Sequence, residues 1–417
     1  MSNRRTALTL ILISMLFALG ACQKQVAAPE YGRPLPPGAS ALRLLPDEAW
    51  PDVKPAFRTA PGDLSTALRG SFDWFNKGST KQFFPAPGAS ISHDHAQASV
   101  LAFWKVASSS PSPREFEQNI REQFDCYISV GWDGNGVVLF TGYYSPVFVA
   151  SKTRTNEFRY PLYTRPFDLI SDPVTGNVLG RKTGNGIADF PTRSQIESSP
   201  DKAGLAGREV AWLKDKFDVY LIHVQGSAKL RLTDGSLMYV GYAGNNGHEY
   251  TSVGLELVKD DKLSMNRLSV PGIRNYFTSH PYEMDTYLNR NDRFVFFQQY
   301  TSTNWPAGSL GFPVTAFRSL ATDKSVFPRG GIVMIETKLP TGTGSLQGFN
   351  QFMLDQDTGG AIRAAGRADI YMGEGTQAEV LAGQQYSEGR LYYFFLKPEH
   401  VAKWTQQLQS MASSRRR

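Results

Sequence analysis

Apolar positions recur at helical spacing in two places near the front of the chain. Leu64, Leu68, Phe72 and Phe75 share one face of a segment that Asp63 is placed to cap. Ser112-Pro113-Arg114-Glu115 has the form of a capping box with proline at the first helical position, ahead of Phe116, Ile120 and Phe124. Before both, Gln23 to about Pro37 is polar or small and carries Pro29, Pro34, Pro36 and Pro37, which predicts an extended tether. From Gly131 the pattern changes. Trp132-Asp133-Gly134-Asn135-Gly136 is a turn cluster, and Val137 to Phe140 is a short β-rich run. Between about 150 and 300, Val219 to Val224 reads as a strand, and Glu209 to Phe217 and Val253 to Val258 read as helical. Strand patterns then dominate at Phe294–Phe297, Ile332–Thr337, Phe352–Leu354 and Leu391–Leu396. Neither an internal repeat nor a low-complexity tract interrupts this order. The pattern predicts an α+β protein, mainly β with helices, and favours β-rich barrels over a wound parallel sheet.

The 417 residues, 41% hydrophobic and 20% charged, bury enough apolar surface to exclude disorder throughout. A net charge of +6 is modest for this length. The only dense basic run is Arg415, Arg416 and Arg417, so no nucleic-acid partner is expected. A weakly acidic polymer or an anionic surface fits that charge better. The two cysteines, Cys22 and Cys126, matter through their positions. Arg4 and Arg5 precede the apolar run Ala7 to Leu19, which has the form of a signal peptide over residues 1–21. Leu19-Gly20-Ala21-Cys22 resembles a bacterial lipobox, in which the cysteine takes a diacylglyceryl thioether. Cleavage there removes Arg4 and Arg5 and lowers the charge to about +4. Acylation of Cys22 leaves Cys126 without a disulfide partner, so the fold must rest on core burial.

The densest polar cluster of the second half is Leu354-Asp355-Gln356-Asp357-Thr358-Gly359-Gly360, followed by Gly366-Arg367-Ala368-Asp369-Ile370-Tyr371. Its glycines let backbone approach a ligand closely. Burial favours the protonated form of a carboxyl, and a protonated carboxyl is a usable general acid. Asp and Gly together also make plain turns. Two rival readings come from other classes. Asp357-Thr358-Gly359 is the tripeptide of aspartic proteases, but their mechanism needs a second such carboxylate, and Asp234-Gly235-Ser236 has the wrong order. A non-catalytic carbohydrate-binding barrel would use exposed aromatics and leave the aspartates to hold turns. His93-Asp94-His95 is the one metal-like spacing, and no cysteine pair or further histidine completes it, so neither metal nor cofactor is expected. Ser227, Asp234 and His248 lack the nucleophile-elbow pattern. No phosphate loop of the Gly-x-x-x-x-Gly-Lys-[Ser/Thr] kind occurs.

Taken in order, the motifs resemble the membrane-bound lytic murein transglycosylase A family. The pieces are the lipobox at Cys22, Phe140-Thr141-Gly142-Tyr143-Tyr144-Ser145-Pro146, Tyr163-Thr164-Arg165-Pro166, Val224-Gln225-Gly226-Ser227, Tyr242 to His248, Phe294-Val295-Phe296-Phe297, Thr322 to Val326, and Asp357 to Gly375. Each is weak alone; their order and spacing are specific, and after the lipobox they run from about residue 130 onward. The resemblance implies a double-psi β-barrel with a second, smaller β-domain inserted and a glycan groove between them. It puts a lipid-anchored linker at 22–45, the barrel at 46–149 and 301–417, with its three-aspartate part at about 305–400, and the insertion at 150–300. The family's three aspartates fall on Asp323, Asp357 and Asp369, and its acid/base context on Ala368-Asp369-Ile370-Tyr371. The twelve-residue spacing of Asp357 and Asp369, with Ala364-Ala365 between them, is a point where the loop is expected to vary.

The activity implied by the resemblance is scission of the β-1,4 bond between N-acetylmuramic acid and N-acetylglucosamine without water. The muramyl 6-hydroxyl attacks its own anomeric carbon and leaves a 1,6-anhydro end. Asp369 alone would protonate the leaving oxygen and then accept the hydroxyl proton. Asp323 and Asp357 would support it by orienting the site or through like charge. Thr141, Gly142 and Tyr143 are the implied sugar-binding residues. The implied partners are peptidoglycan strands, the membrane through the lipid on Cys22, and cell-wall synthesis complexes. Gln23 follows the acylated cysteine in place of the aspartate that retains lipoproteins at the inner membrane, which implies the outer membrane, facing the periplasm.

Overall fold

The computed structural model of the chain describes residues 29–414 apart from 58–60, 88, 174–175, 200 and 343. The signal segment, Cys22 and the terminal arginines lie outside the described residues. From Tyr31 onward the chain is one compact unit.

Six strands close on themselves. Val138–Ser145 pairs with Arg367–Glu374 on one edge and Tyr386–Leu396 on the other, and Ile332–Pro340, Leu346–Asp357 and Ser319–Ala321 complete the ring. Two of these pairings are parallel, Val138–Ser145 with Arg367–Glu374 and Ser319–Ala321 with Leu346–Asp357. Phe124–Ser129 and then Leu42–Leu44 extend the sheet beyond Tyr386–Leu396. The long hairpin Ile332–Pro340 and Leu346–Asp357 is apolar on successive residues where it crosses the core, and Ile332, Val333, Met334, Ile335, Met353 and Leu354 are all fully buried. Two helices cover one side. His93–Ser109 starts at Ser92, whose side chain accepts from the His95 N–H. Pro113–Gln123 starts at Ser112, which accepts from the Glu115 N–H as the capping pattern predicts. They send Phe103 and Phe116 against Phe352, with ring centroids 4.9 and 5.5 Å away. Phe124, assigned to the same helical face in the sequence, instead begins the strand Phe124–Ser129.

A second sheet, built from 147–300, has the order Val295–Tyr300, Leu237–Asn245, Ser227–Leu232, Val147–Ser151, Glu209–Leu213, Tyr160–Tyr163. A three-stranded ribbon, Leu169–Ser171, Val178–Thr183 and Gly186–Ala188, accompanies it. Its core includes Leu162, Ala211, Leu213, Ile222, Leu230, Val240 and Phe297. Two sequence expectations are corrected here, because they are interchanged. Lys216–Gln225 is a helix, although Val219 to Val224 reads as a strand. It packs Val219 and Ile222 on the sheet, and Phe217, Tyr220 and Leu221 on the neighbouring helices. A helix buried on two sides loses the one-sided periodicity that identifies it. Its punctuation survives: the Asp215 side chain accepts from the Phe217 N–H, and Gly226 ends it at φ 77°. Glu209–Leu213 is a strand between two others, burying Ala211 and Leu213 while Val210 and Trp212 stay half-buried. That alternation of period two is hidden in a run that is apolar at four of five positions.

Candidate active site

The pairing of four strands sets the site. Asp369 is in register with Thr141 on one side and with Ala321 on the other, and Ala321 is in register with Asp357. Residues in register face the same way, so Asp357, Ala321, Asp369 and Thr141 form one row across the sheet. At the usual spacing between strands, the two aspartate backbones are about 10 Å apart. Two residues further along, Tyr371 and Tyr143 are also in register on that face, with ring centroids 5.1 Å apart. The opposite face carries Phe140, Ala368 and Ile370, all fully buried in the core. Gly142 falls on that opposite face. A Cβ there would sit 2.9 Å from the Ala382 backbone, so its absence lets the helix Gly375–Gln384 lie against the strand.

Asp369 is held but reachable. One carboxylate oxygen, Oδ1, accepts from the Thr141 hydroxyl, and the side chain keeps 15% of its surface exposed. Arg367, two residues before it on the same strand, brings Nε to 3.6 Å from the same oxygen. Asp357 is more occupied. Its Oδ2 accepts from the Tyr143 hydroxyl at 2.8 Å, and its Oδ1 accepts from the backbone N–H groups of Ser309 and Thr358, both at 2.8 Å. Burial raises its carboxyl above the usual range, against the opposing pull of those hydrogen bonds. Gly308 lets the loop bearing Ser309 come this close; a Cβ there would lie 2.9 Å from the Gln356 carbonyl. Asp323 does not face the row. Its Oδ1 accepts from the Ser325 N–H and hydroxyl, and its Oδ2 accepts from the Ala364 N–H at 2.7 Å. Asp323 therefore pins the loop before Arg367, where Ala364 has φ 61°. The unusual Ala364-Ala365 stretch is where this anchor acts.

Sequence reasoning misses several participants. Asp355 is fully buried and forms an ion pair with Lys324. Its Oδ2 accepts from the hydroxyls of Thr322, at 2.8 Å, and Tyr393, at 2.7 Å. In a regular strand Asp355 and Asp357 would share a face. The register slips between Leu320 and Ala321, leaving Gln356 as the extra residue. That bulge turns Asp355 into the core and Asp357 onto the Asp369 face. Thr358 locks the slip by donating its hydroxyl to the Thr322 carbonyl at 2.8 Å. Residues from loops beside the second sheet also reach the site. Burial raises the Tyr250 hydroxyl, and the charges of Asp369 and Arg367 act on it in opposite directions. Arg293 lies where a Cβ on Gly360 would meet it at 3.1 Å, and Arg363 pairs with Glu249 at 3.4 Å. None of these has a local motif.

The rival constellations have structural partners. His93 places Nε2 2.8 Å from the Thr80 hydroxyl and Nδ1 3.1 Å from Asp94, and His95 meets the Leu396 carbonyl at 2.7 Å. Among the described residues no group of three or more His, Cys, Asp or Glu is arranged to hold a metal. Ser227 shares a hydrogen bond with Ser145, His248 meets the Phe190 carbonyl, and Asp234 is taken up by Ser236 and Lys152. Those three do not form a triad. Cys126 is buried, which pushes its thiol up and away from thiolate chemistry.

Known proteins bear on this geometry. Residues 139–298 match the family described as the MltA specific insert domain, and residues 318–395 match the 3D domain. The membrane-bound lytic murein transglycosylase A of Escherichia coli strain K12 is 31% identical over 287 residues, 67% of this chain and 72% of that protein. The chain belongs to the membrane-bound lytic murein transglycosylase A family. The member from Vibrio cholerae is 30% identical over 267 residues, 63% of this chain and 66% of that protein. Among solved structures of the family, a membrane-bound lytic murein transglycosylase from Agrobacterium tumefaciens has a TM-score of 0.68 at 26% identity, over 84% of this chain and 98% of that one. Escherichia coli MltA with bound chitohexaose has a TM-score of 0.66 at 26% identity, over 86% and 95%. The α+β architecture, mainly sheet with helices, is the family's.

Proposed function

We propose that this chain is a lytic transglycosylase of peptidoglycan, with Asp369 as its single acid/base. Family membership supports the substrate class. The observation that carries the residue assignment is the row of Thr141, Asp369 and Asp357, in which only Asp369 is free to react. Its Oδ1 is fixed by Thr141, which leaves Oδ2 for the moving proton. Glycosidases that use water or a covalent intermediate need a second carboxylate beside the first. Both oxygens of Asp357 already accept hydrogen bonds, from Tyr143, Ser309 and Thr358. In this reading Asp369 protonates the glycosidic oxygen as the bond to the muramyl anomeric carbon breaks. The muramyl 6-hydroxyl then closes onto that carbon and returns its proton to Asp369. The nucleophile belongs to the substrate, so its proximity lowers the barrier without a second carboxylate. Tyr143 and Thr141 line the sugar-binding face, Gly142 shapes the strand behind them, and Asp357 and Asp323 are positioning residues. Residues 46–149 and 301–417 form the catalytic barrel domain in this account, and 150–300 the inserted domain.

The purified chain should clear a suspension of peptidoglycan sacculi and release soluble muropeptides. Binding to sacculi with no release would favour the carbohydrate-binding reading instead.

The same reading assigns a lipid anchor on Cys22 and an outer-membrane location facing the periplasm, with cell-wall synthesis complexes as partners. No helix among the described residues is long and apolar enough to cross a membrane. Cys22→Ala is expected to move the processed protein into the soluble fraction. Retention of the processed variant in the membrane would overturn the anchor.

A further inference from the structure

Arg367 presents a donor that its surroundings do not use. Its Nη1 donates to the Ala361 carbonyl at 2.9 Å, and its Nη2 donates to the Thr141 hydroxyl oxygen at 3.4 Å. These two contacts fix the plane of the guanidinium. Its Nε is buried and has no hydrogen-bond partner, yet it lies 3.6 Å from Asp369 Oδ1. A buried unpaired donor is normally unfavourable, so its aim at a reacting carboxyl calls for an explanation.

We propose that Arg367 is a positioning residue that stabilises Asp369 in its carboxylate form midway through the reaction, by closing the Nε contact that the resting site leaves open. This rests on the reading of Asp369 as acid/base. At 3.6 Å the contact is longer than a hydrogen bond. When Asp369 gives its proton to the glycosidic oxygen, the carboxylate gains a full negative charge. Charge-assisted N–H to carboxylate bonds settle at about 2.7–2.9 Å, so a movement of under about 1 Å completes the contact. The muramyl 6-hydroxyl then returns its proton to Asp369, the charge is lost, and the contact relaxes. No other reactant enters. An interaction stronger in the ionised state than in the resting state speeds the reaction without tightening substrate binding. Thr141 couples the two groups, since one hydroxyl can donate to Asp369 and accept from Arg367 at once.

The test uses the whole mature chain, with soluble glycan strands as substrate. Arg367→Ala is expected to lower kcat about 10- to 100-fold, the size of one charge-assisted hydrogen bond. KM and melting temperature should stay close to the parent's. Added guanidinium ion should restore part of the loss saturably, and tetramethylammonium at equal ionic strength should not. A merely structural arginine would not give that pattern. A folded Arg367→Ala protein with parental kcat, a loss carried by KM alone, or a loss without guanidinium rescue would overturn the inference. If Arg367→Ala does not fold, Arg367→Lys decides: a folded variant with kcat at least about tenfold down supports the Nε contact, and parental kcat overturns it. Asp369→Asn separates the two claims. Its activity would sink the acid/base reading itself, whereas an inactive Asp369→Asn beside a fully active Arg367→Ala would sink only this inference.

Discussion

Asp369→Asn should remove nearly all turnover and leave the protein folded. General acid/base catalysis contributes typically about 10²- to 10⁴-fold, and here one group is asked to do it twice. The amide matches the carboxylate in size and can still meet the Thr141 hydroxyl, so the strand Arg367–Glu374 should keep its register. Asp357→Asn should behave differently. It weakens the contacts with Tyr143, Ser309 and Thr358, and its cost should appear partly in melting temperature. The measurement is release of muropeptides by each purified variant beside its thermal melt. A pepsin-like site would instead centre the loss on Asp357. A folded Asp369→Asn protein with near-parental release would contradict the assignment.

Lys324→Met should be the most destabilising of the changes considered. Lys324 and Asp355 are 4% and 0% exposed, and they face each other inside the barrel. Burial pushes the Lys324 ammonium down and the Asp355 carboxyl up, each toward its neutral form, and the pairing opposes both. Removing one partner leaves a charge buried without compensation, which costs about 3–5 kcal/mol. The double variant Lys324→Met with Asp355→Leu should recover part of that loss, because an apolar pair of similar volume needs no compensation. Denaturant unfolding of the two single variants and the double variant reads this directly. Equal stability of Lys324→Met and the parent would show that the pair carries no such weight. The pair also sits beside the bulge at Gln356, so Lys324→Met should lower turnover through the aim of Asp357.

The legible parts of this molecule are the local ones. The Ser112 cap, the strands Ile332–Pro340 and Tyr386–Leu396, and the polar cluster around Asp357 and Asp369 each announce themselves within a few residues. The helix Lys216–Gln225 was not legible from its apolar pattern, because neighbours cover it on two sides; Asp215 and Gly226 were the surviving signals. Asp355 was legible as a residue but not as a buried one. Only the bulge separates its face from that of Asp357, and a one-residue slip leaves no mark in composition. Tyr250, Arg293 and the Asp323 contact with Ala364 depend on segments far apart in the chain. The resemblance ordered the motifs, but it did not supply those contacts. Arg367 is plain in the sequence beside Asp369, but its unused Nε is set by the fold around it.

The account turns on whether the glycan or the solvent supplies the nucleophile. Digestion of sacculi in water enriched in heavy oxygen, followed by mass spectrometry of the released muropeptides, decides this. The account predicts 1,6-anhydromuramyl ends, one water lighter than reducing ends, with no heavy oxygen incorporated at the cleaved carbon. Reducing ends carrying one heavy oxygen would mean that water attacks, and that a second group activates it where Asp369 alone is assigned here.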